Sequence, residues 1–133
     1  MYTLRINPFL YFSLLLAGIA YGSLNPGDAR ENMQILDFEN ADKLIHGFMY
    51  FLLTLSLAYA MMKKNVFFRQ WKVNLAVIGG PALYGMLMEM LQYFLTQDRK
   101  GDPLDMLANS IGIALAFMLS YKFTHMHKNN MKH

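Results

Sequence analysis

Apolar positions along this chain gather into four runs with short polar breaks between them: Pro8 to Leu24, Leu44 to Met62, Val73 to Thr96 and Leu104 to Phe123. A helix needs about 17 to 25 mostly apolar residues to cross a bilayer, and the first run barely qualifies. A soluble four-helix bundle would give each helix a polar face. Residues 8 to 24 and 106 to 121 have none. The pattern predicts an all-α fold, a polytopic membrane protein with one domain over residues 1–133 and a four-helix transmembrane bundle.

Local signals sharpen the breaks. Asn25-Pro26-Gly27 ends the first span, and a short surface helix is expected around Met33 to Phe38. Asn40 or Asp42 is placed to cap the second span. Pro81, behind Gly79 and Gly80, predicts a kink inside the third. Gly18 and Gly22 form a GxxxG pair in the first span, and Ala108, Gly112 and Ala116 a longer small-residue stripe in the fourth. Both predict close approach of a neighbouring helix. Arg5, a short apolar run and Ala20-Tyr21-Gly22 also fit a cleavable secretory signal, but the GxxxG pair favours a packed span.

Composition agrees with a lipid environment: 55% of residues are hydrophobic and 16% charged, against roughly a quarter charged in soluble domains. The chain has no cysteine, which excludes disulfides and thiolate chemistry. Arg5, Lys63, Lys64, Arg69, Lys72, Lys122, Lys128 and Lys132 fall on one side of a four-span model, with no acid among them. The other side carries Arg30, Lys43, Arg99 and Lys100 beside eight acids. The positive-inside rule then predicts N-in and C-in, with two acidic loops outside. The loop KKNVFFRQWK reads as a cytoplasmic turn with an aromatic belt, and His125, His127 and His133 in the tail as solvated polar residues.

Polar residues inside the spans carry the chemistry. Asp42, His46 and Tyr50 recur every four residues along one side of the second helix. Glu89 and Gln92 share a side of the third, with Gly85 one turn deeper. Asp102, Asp105, Asn109 and Gly112 share a side of the fourth. At 1.5 Å per residue, Glu89 lies roughly 10 Å below the outer end of its helix, Asn109 roughly 10 Å below Asp102, and His46 roughly 6 Å below Asp42. Three helices thus bring polar groups to a similar depth on one side. Plainer roles exist for most of them. Asp102 and Asp105 fit a helix start around Pro103, Asn109 and Gln92 fit interhelical hydrogen bonds, and Tyr50 and Tyr84 fit packed aromatics. Glu89 resists a plain role best. A carboxylate at that depth costs about 2.5–3.5 kcal/mol even on the mild insertion scales, and such residues usually mark function.

These residues also form three motifs. DKLIHGFMYFLL, from Asp42 to Leu53, resembles the Asp-Lys-x-x-His-Phe-x-x-Tyr signature of the VanZ-like family of bacterial membrane proteins, with Gly47 where phenylalanine is usual and Phe48 one place later. EMLQYF, from Glu89 to Phe94, is similar to that family's Glu-x-x-Gln segment. RKGDPLDMLANSIG, from Arg99 to Gly112, is similar to its Arg-x-x-x-x-x-Asp-x-x-x-Asn-x-x-Gly run. The resemblance covers about residues 42 to 112 and implies functional positions at Asp42, Lys43, His46, Glu89, Gln92, Arg99, Asp105 and Asn109. It implies a multi-pass protein of the bacterial cytoplasmic (inner) membrane. For the name-giving member it also implies lowered teicoplanin susceptibility. It supplies no reaction.

Three functions compete. In a binding module, the polar set would grip an amphipathic head group at the outer face, of a lipid-linked cell-wall precursor or a glycopeptide. In an enzyme, His46 and Glu89 would serve as general base and acid, with Asp105 or Asp42 orienting His46. Lys43 and Arg99 would hold a phosphate or carboxylate, and Gln92 and Asn109 would stabilise developing charge. A proton-coupled transporter ranks behind both, because no polar stripe is seen to continue inward. No cofactor or nucleic-acid partner is expected; a metal on His46, Asp42, Glu89 and Asp105 is the lesser alternative, since oxygen and imidazole donors are present but their spacing matches no closed metal motif. The bilayer is the one partner implied throughout, and the oligomeric state stays open.

Overall fold

A computed structural model describes residues 7–24, 41–66, 70–95 and 103–130, with side chains to Met126 in the last segment. These residues form four helices: α1 (Pro8–Leu24), α2 (Ala41–Lys63), α3 (Trp71–Leu95) and α4 (Pro103–Asn130). Three of them, α2, α3 and α4, are long and apolar enough to cross a membrane. Helix α1 is apolar but has 17 residues, at the short end of the range for a span. The surface helix expected near residues 33–38 and the capping positions Asn40 and Asp102 lie outside the described residues.

Local chemistry sets the visible helix ends. Asn7 caps α1 through its Oδ1, which accepts from the Phe9 N–H at 3.1 Å, and Pro8 takes the first helical position, where no N–H is needed. Helix α2 ends in a left-handed cap at Asn65, φ 55°. The Asn65 N–H donates to the Met62 carbonyl at 2.9 Å and the Val66 N–H to that of Met61 at 3.3 Å, the paired bonds of a Schellman motif. Helix α3 runs unbroken through the buried Pro81.

The bundle is apolar on its outside as well as within. Leu14, Leu83, Phe94, Met118 and Phe123 are all well exposed, as a bilayer-facing surface requires. Inside, Ile19, Tyr50, Leu53, Met88 and Ile113 form one cluster, and Ala58 and Val77 a second, packed by Leu57 and Phe117. The most extensive helix pair is α2 with α4. Its cause is visible at Gly112: a Cβ there would collide with the Gly47 carbonyl oxygen and sit 3.0 Å from the Phe51 nitrogen. A Cβ on Gly47 would in turn meet the Ala108 carbonyl at 3.2 Å. The stripe predicted on α4 therefore packs backbone against backbone.

The GxxxG pair of α1 does not pack this way. Among the described residues, a Cβ on Gly18 or Gly22 would meet nothing within 4 Å. Helix α1 instead turns Phe12, Leu15, Leu16, Ile19 and Ala20 toward the core, because burying those larger side chains removes more apolar surface from contact with the surroundings than two glycines offer.

Candidate functional site

Helices α2 and α4 begin, and α1 and α3 finish, at the same end of the bundle, and the intramembrane polar residues collect there in two tiers. The first tier joins the opening turns of α2 and α4. Asp42, His46 and Asp105 place their ligand atoms within 4.8 Å of one another. His46 Nε2 lies 3.9 Å from Asp42 Oδ1, with the His46 side chain 12% and that of Asp42 42% exposed. Asp105 is buried. It occupies the third position of α4 behind Pro103, so its carboxylate suits the helix start, and its burial against His46 gives it a second role.

The second tier lies one turn deeper, roughly 6 Å along the helices. Tyr50 follows His46 on α2, Asn109 follows Asp105 on α4, and Gly85 comes from α3, with Glu89 one turn nearer the bundle end. Tyr50, Glu89 and Asn109 are all buried. Gly85 makes room for this meeting: a Cβ there would stand 3.2 Å from Tyr50 Cε1 and 3.5 Å from Asn109 Nδ2. Glu89 is close enough to act electrostatically on the Tyr50 hydroxyl, and the Tyr50 and Tyr84 rings lie 6.5 Å apart. Among the described residues, Asn109 Oδ1 is buried without a hydrogen-bond partner.

The structure thus sorts the expected site residues. Asp42, His46 and Asp105 form one group, Asn109 lies beneath it, and the buried Glu89 stands on α3 within electrostatic reach of Tyr50. Lys43 sits half-buried in the first turn of α2. Gln92 is buried and donates from Nε2 to the Ser23 carbonyl at 3.1 Å, which ties α3 to α1. Tyr84 does the same one end over, its hydroxyl donating to the Leu16 carbonyl at 2.6 Å. Arg99 and the 97–102 segment lie outside the described residues. A groove of about 260 Å³ runs between α3 and α4, bordered by Ile78, Ala82, Ile113 and Phe117 among others, and no residue of either tier lines it.

Two features escaped the sequence reading. Gly47 places the α4 backbone, not a ring, beside His46, while Phe48 faces outward and stacks on Phe51 at 6.5 Å. The polar line of α2 also continues one turn further than expected, to Thr54, whose buried Oγ1 has no hydrogen-bond partner among the described residues. The i+4 spacing from Asp42 through His46 and Tyr50 reaches Thr54 directly, so the signal was present. The line stops at the next turn, where Ala58 is fully buried.

In chemical terms, one imidazole and two carboxylates stand at the bundle end above a buried amide and phenol, with the buried acid Glu89 on α3. Such a set can hold a proton, a cationic group or a divalent cation. A profile of the family described as VanZ/LLP1 matches residues 5–124. Comparison with curated proteins and with solved structures returns no match.

Proposed function

The chain belongs to the VanZ/LLP1 family, and from that premise we propose that this multi-pass membrane protein binds an amphipathic head group at the outer face of the bacterial inner membrane. The head group is that of a lipid-linked cell-wall precursor or of a glycopeptide, and binding lowers teicoplanin susceptibility. The observation that carries this reading is the gathering of Asp42, His46 and Asp105 at the end of the bundle. Helix-start roles suit Asp42 on α2 and Asp105 on α4 separately, but they do not call for the two carboxylates to meet at His46. Lys43 and Arg99 would answer a phosphate or carboxylate on the ligand, and the two tiers would contact its hydroxyls and amides. Protein embedded in lipid reaches such a molecule from the side, so an end-on site between helices suits a ligand whose tail stays in the bilayer.

Placing the site outside follows from the charge asymmetry of the loops. The chain has no native cysteine, so single cysteines report topology cleanly. Asn32→Cys and Lys100→Cys should react with an impermeant thiol reagent in intact cells, and Asn65→Cys and Asn129→Cys should not. Labelling of the second pair from outside would reverse the orientation.

The functional test is expression in a teicoplanin-susceptible bacterium. Wild type should lower susceptibility. His46→Gln, Glu89→Gln and Asp105→Asn should abolish that effect at equal membrane abundance, since loss of one buried partner leaves another uncompensated at a cost of about 3–5 kcal/mol. Full activity of Glu89→Gln and Asp105→Asn would remove the tiers from the function. A catalytic reading is favoured by one feature, His46 standing between two carboxylates as an oriented base would. Turnover of a lipid-linked substrate, rather than stoichiometric binding, would establish it.

A further inference from the structure

We propose that Asp42, His46 and Asp105 form a binding site for one divalent first-row cation, Zn²⁺ foremost. Distance is the first argument. His46 Nε2 and Asp42 Oδ1 are 3.9 Å apart, too far for a direct hydrogen bond, which ends near 3.2 Å. Donors that share one ion behave differently. With metal–ligand bonds of about 2.0–2.2 Å, two ligand atoms on the same ion stand roughly 3–4.3 Å apart. The 3.9 Å pair falls in that range, and the widest pair, within 4.8 Å, must close by roughly 1 Å to reach the tetrahedral spacing of about 3.4 Å that Zn²⁺ prefers.

Charge is the second argument. Two carboxylates this close repel each other when both are ionised, and a buried Asp105 feels that most. A divalent cation lowers that repulsion, and imidazole ligates it through an unprotonated ring nitrogen. The donor types, one nitrogen and two oxygens, suit Zn²⁺ or Mn²⁺ and exclude the soft sites of Cu(I). Three protein ligands also leave a coordination position open, as metal sites that accept a water or substrate do.

An independent observation comes from below the cluster. Asn109 lies one turn under Asp105 on the same face of α4, 5% exposed, with its Oδ1 unpartnered among the described residues. A buried acceptor of that kind calls for a donor, and a water held on the ion supplies one. Sequence spacing could not show this site. Its ligands come from two helices far apart in the chain, whereas closed metal motifs are recognised by donors near one another in sequence. The site stands whether or not the head-group reading holds, because an ion alone occupies it.

The test uses the full chain in detergent, stripped with chelator, dialysed, and titrated with ZnCl₂ by calorimetry. Co²⁺ serves as the spectroscopic probe. One Zn²⁺ per chain should bind, and Co²⁺ should give a visible ligand-field band. His46→Gln and Asp105→Asn should each weaken binding by more than the ~10–100-fold that loss of an outer-shell partner costs, and remove the band. If His46→Gln does not fold, Asp42→Asn at the half-exposed end of the cluster carries the same measurement. Combined replacement of His125, His127 and His133 by Gln should leave binding unchanged. A folded wild-type chain that binds neither ion overturns the proposal. So does binding that survives the cluster substitutions, or that disappears with the tail histidines.

Discussion

Helices α1 and α4 carry the same kind of small-residue signal and use it in opposite ways. On α4, Gly112 brings the backbone against Gly47 of α2 so closely that a Cβ has no place. On α1, Gly18 and Gly22 meet nothing among the described residues, and the helix is held by Ile19 and by two side chains of α3 that donate to its carbonyls, Tyr84 to Leu16 and Gln92 to Ser23. A small residue permits close approach but does not demand it. What demands it on α4 is the company of Gly112: Asp105, Asn109 and Ala116 share its buried face, so the polar residues and the small ones call for the same partner. On α1 the large apolar residues and the glycines point to different faces, and the larger apolar area wins.

The sharpest way to break this comparison is Gly112→Ala. Alanine favours a helix over glycine by roughly 0.5–1 kcal/mol, yet here the methyl meets the Gly47 carbonyl. The net effect should be a loss at the upper end of the ~1–3 kcal/mol that overpacking costs, or beyond, read as a large fall in thermal unfolding temperature in detergent. Unchanged stability would mean that α2 and α4 do not touch at this point.

Gln92→Leu tests the other attachment. It removes one hydrogen bond to the end of α1 and should cost about 0.6–1.7 kcal/mol, a smaller shift in the same assay. It also divides two roles for Gln92. If the amide only pins α1, the teicoplanin effect should survive in proportion to folded protein. Loss of that effect at normal stability would return Gln92 to the ligand site.

Gly18→Ala should produce the smallest change and the opposite sign. With open space around the site, the helix gains roughly 0.5–1 kcal/mol. A destabilised Gly18→Ala chain, with a concentration-dependent loss of higher-mass species in detergent, would show that a second copy packs on this face.

The site divides along a similar line. Hydrophobic runs and i+4 spacing were enough to place Asp42, His46 and Tyr50 on one side of α2, Asp105 and Asn109 on one side of α4, and Glu89 at comparable depth. They could not say which of these touch. Which of them Glu89 meets depends on the rotation of α3 about its axis, and tertiary packing sets that rotation.

The sequence by itself determined the four apolar segments, the end of the bundle where polar groups gather, and the family, because each depends on composition and period along one helix. Only the tertiary structure decided that Gly47 stands against α4, that Gln92 holds α1, and that Asp105 joins Asp42 at His46. Those outcomes depend on how helices rotate and slide against one another. That is set by the sum of many weak contacts between residues distant in the chain, which no local pattern records.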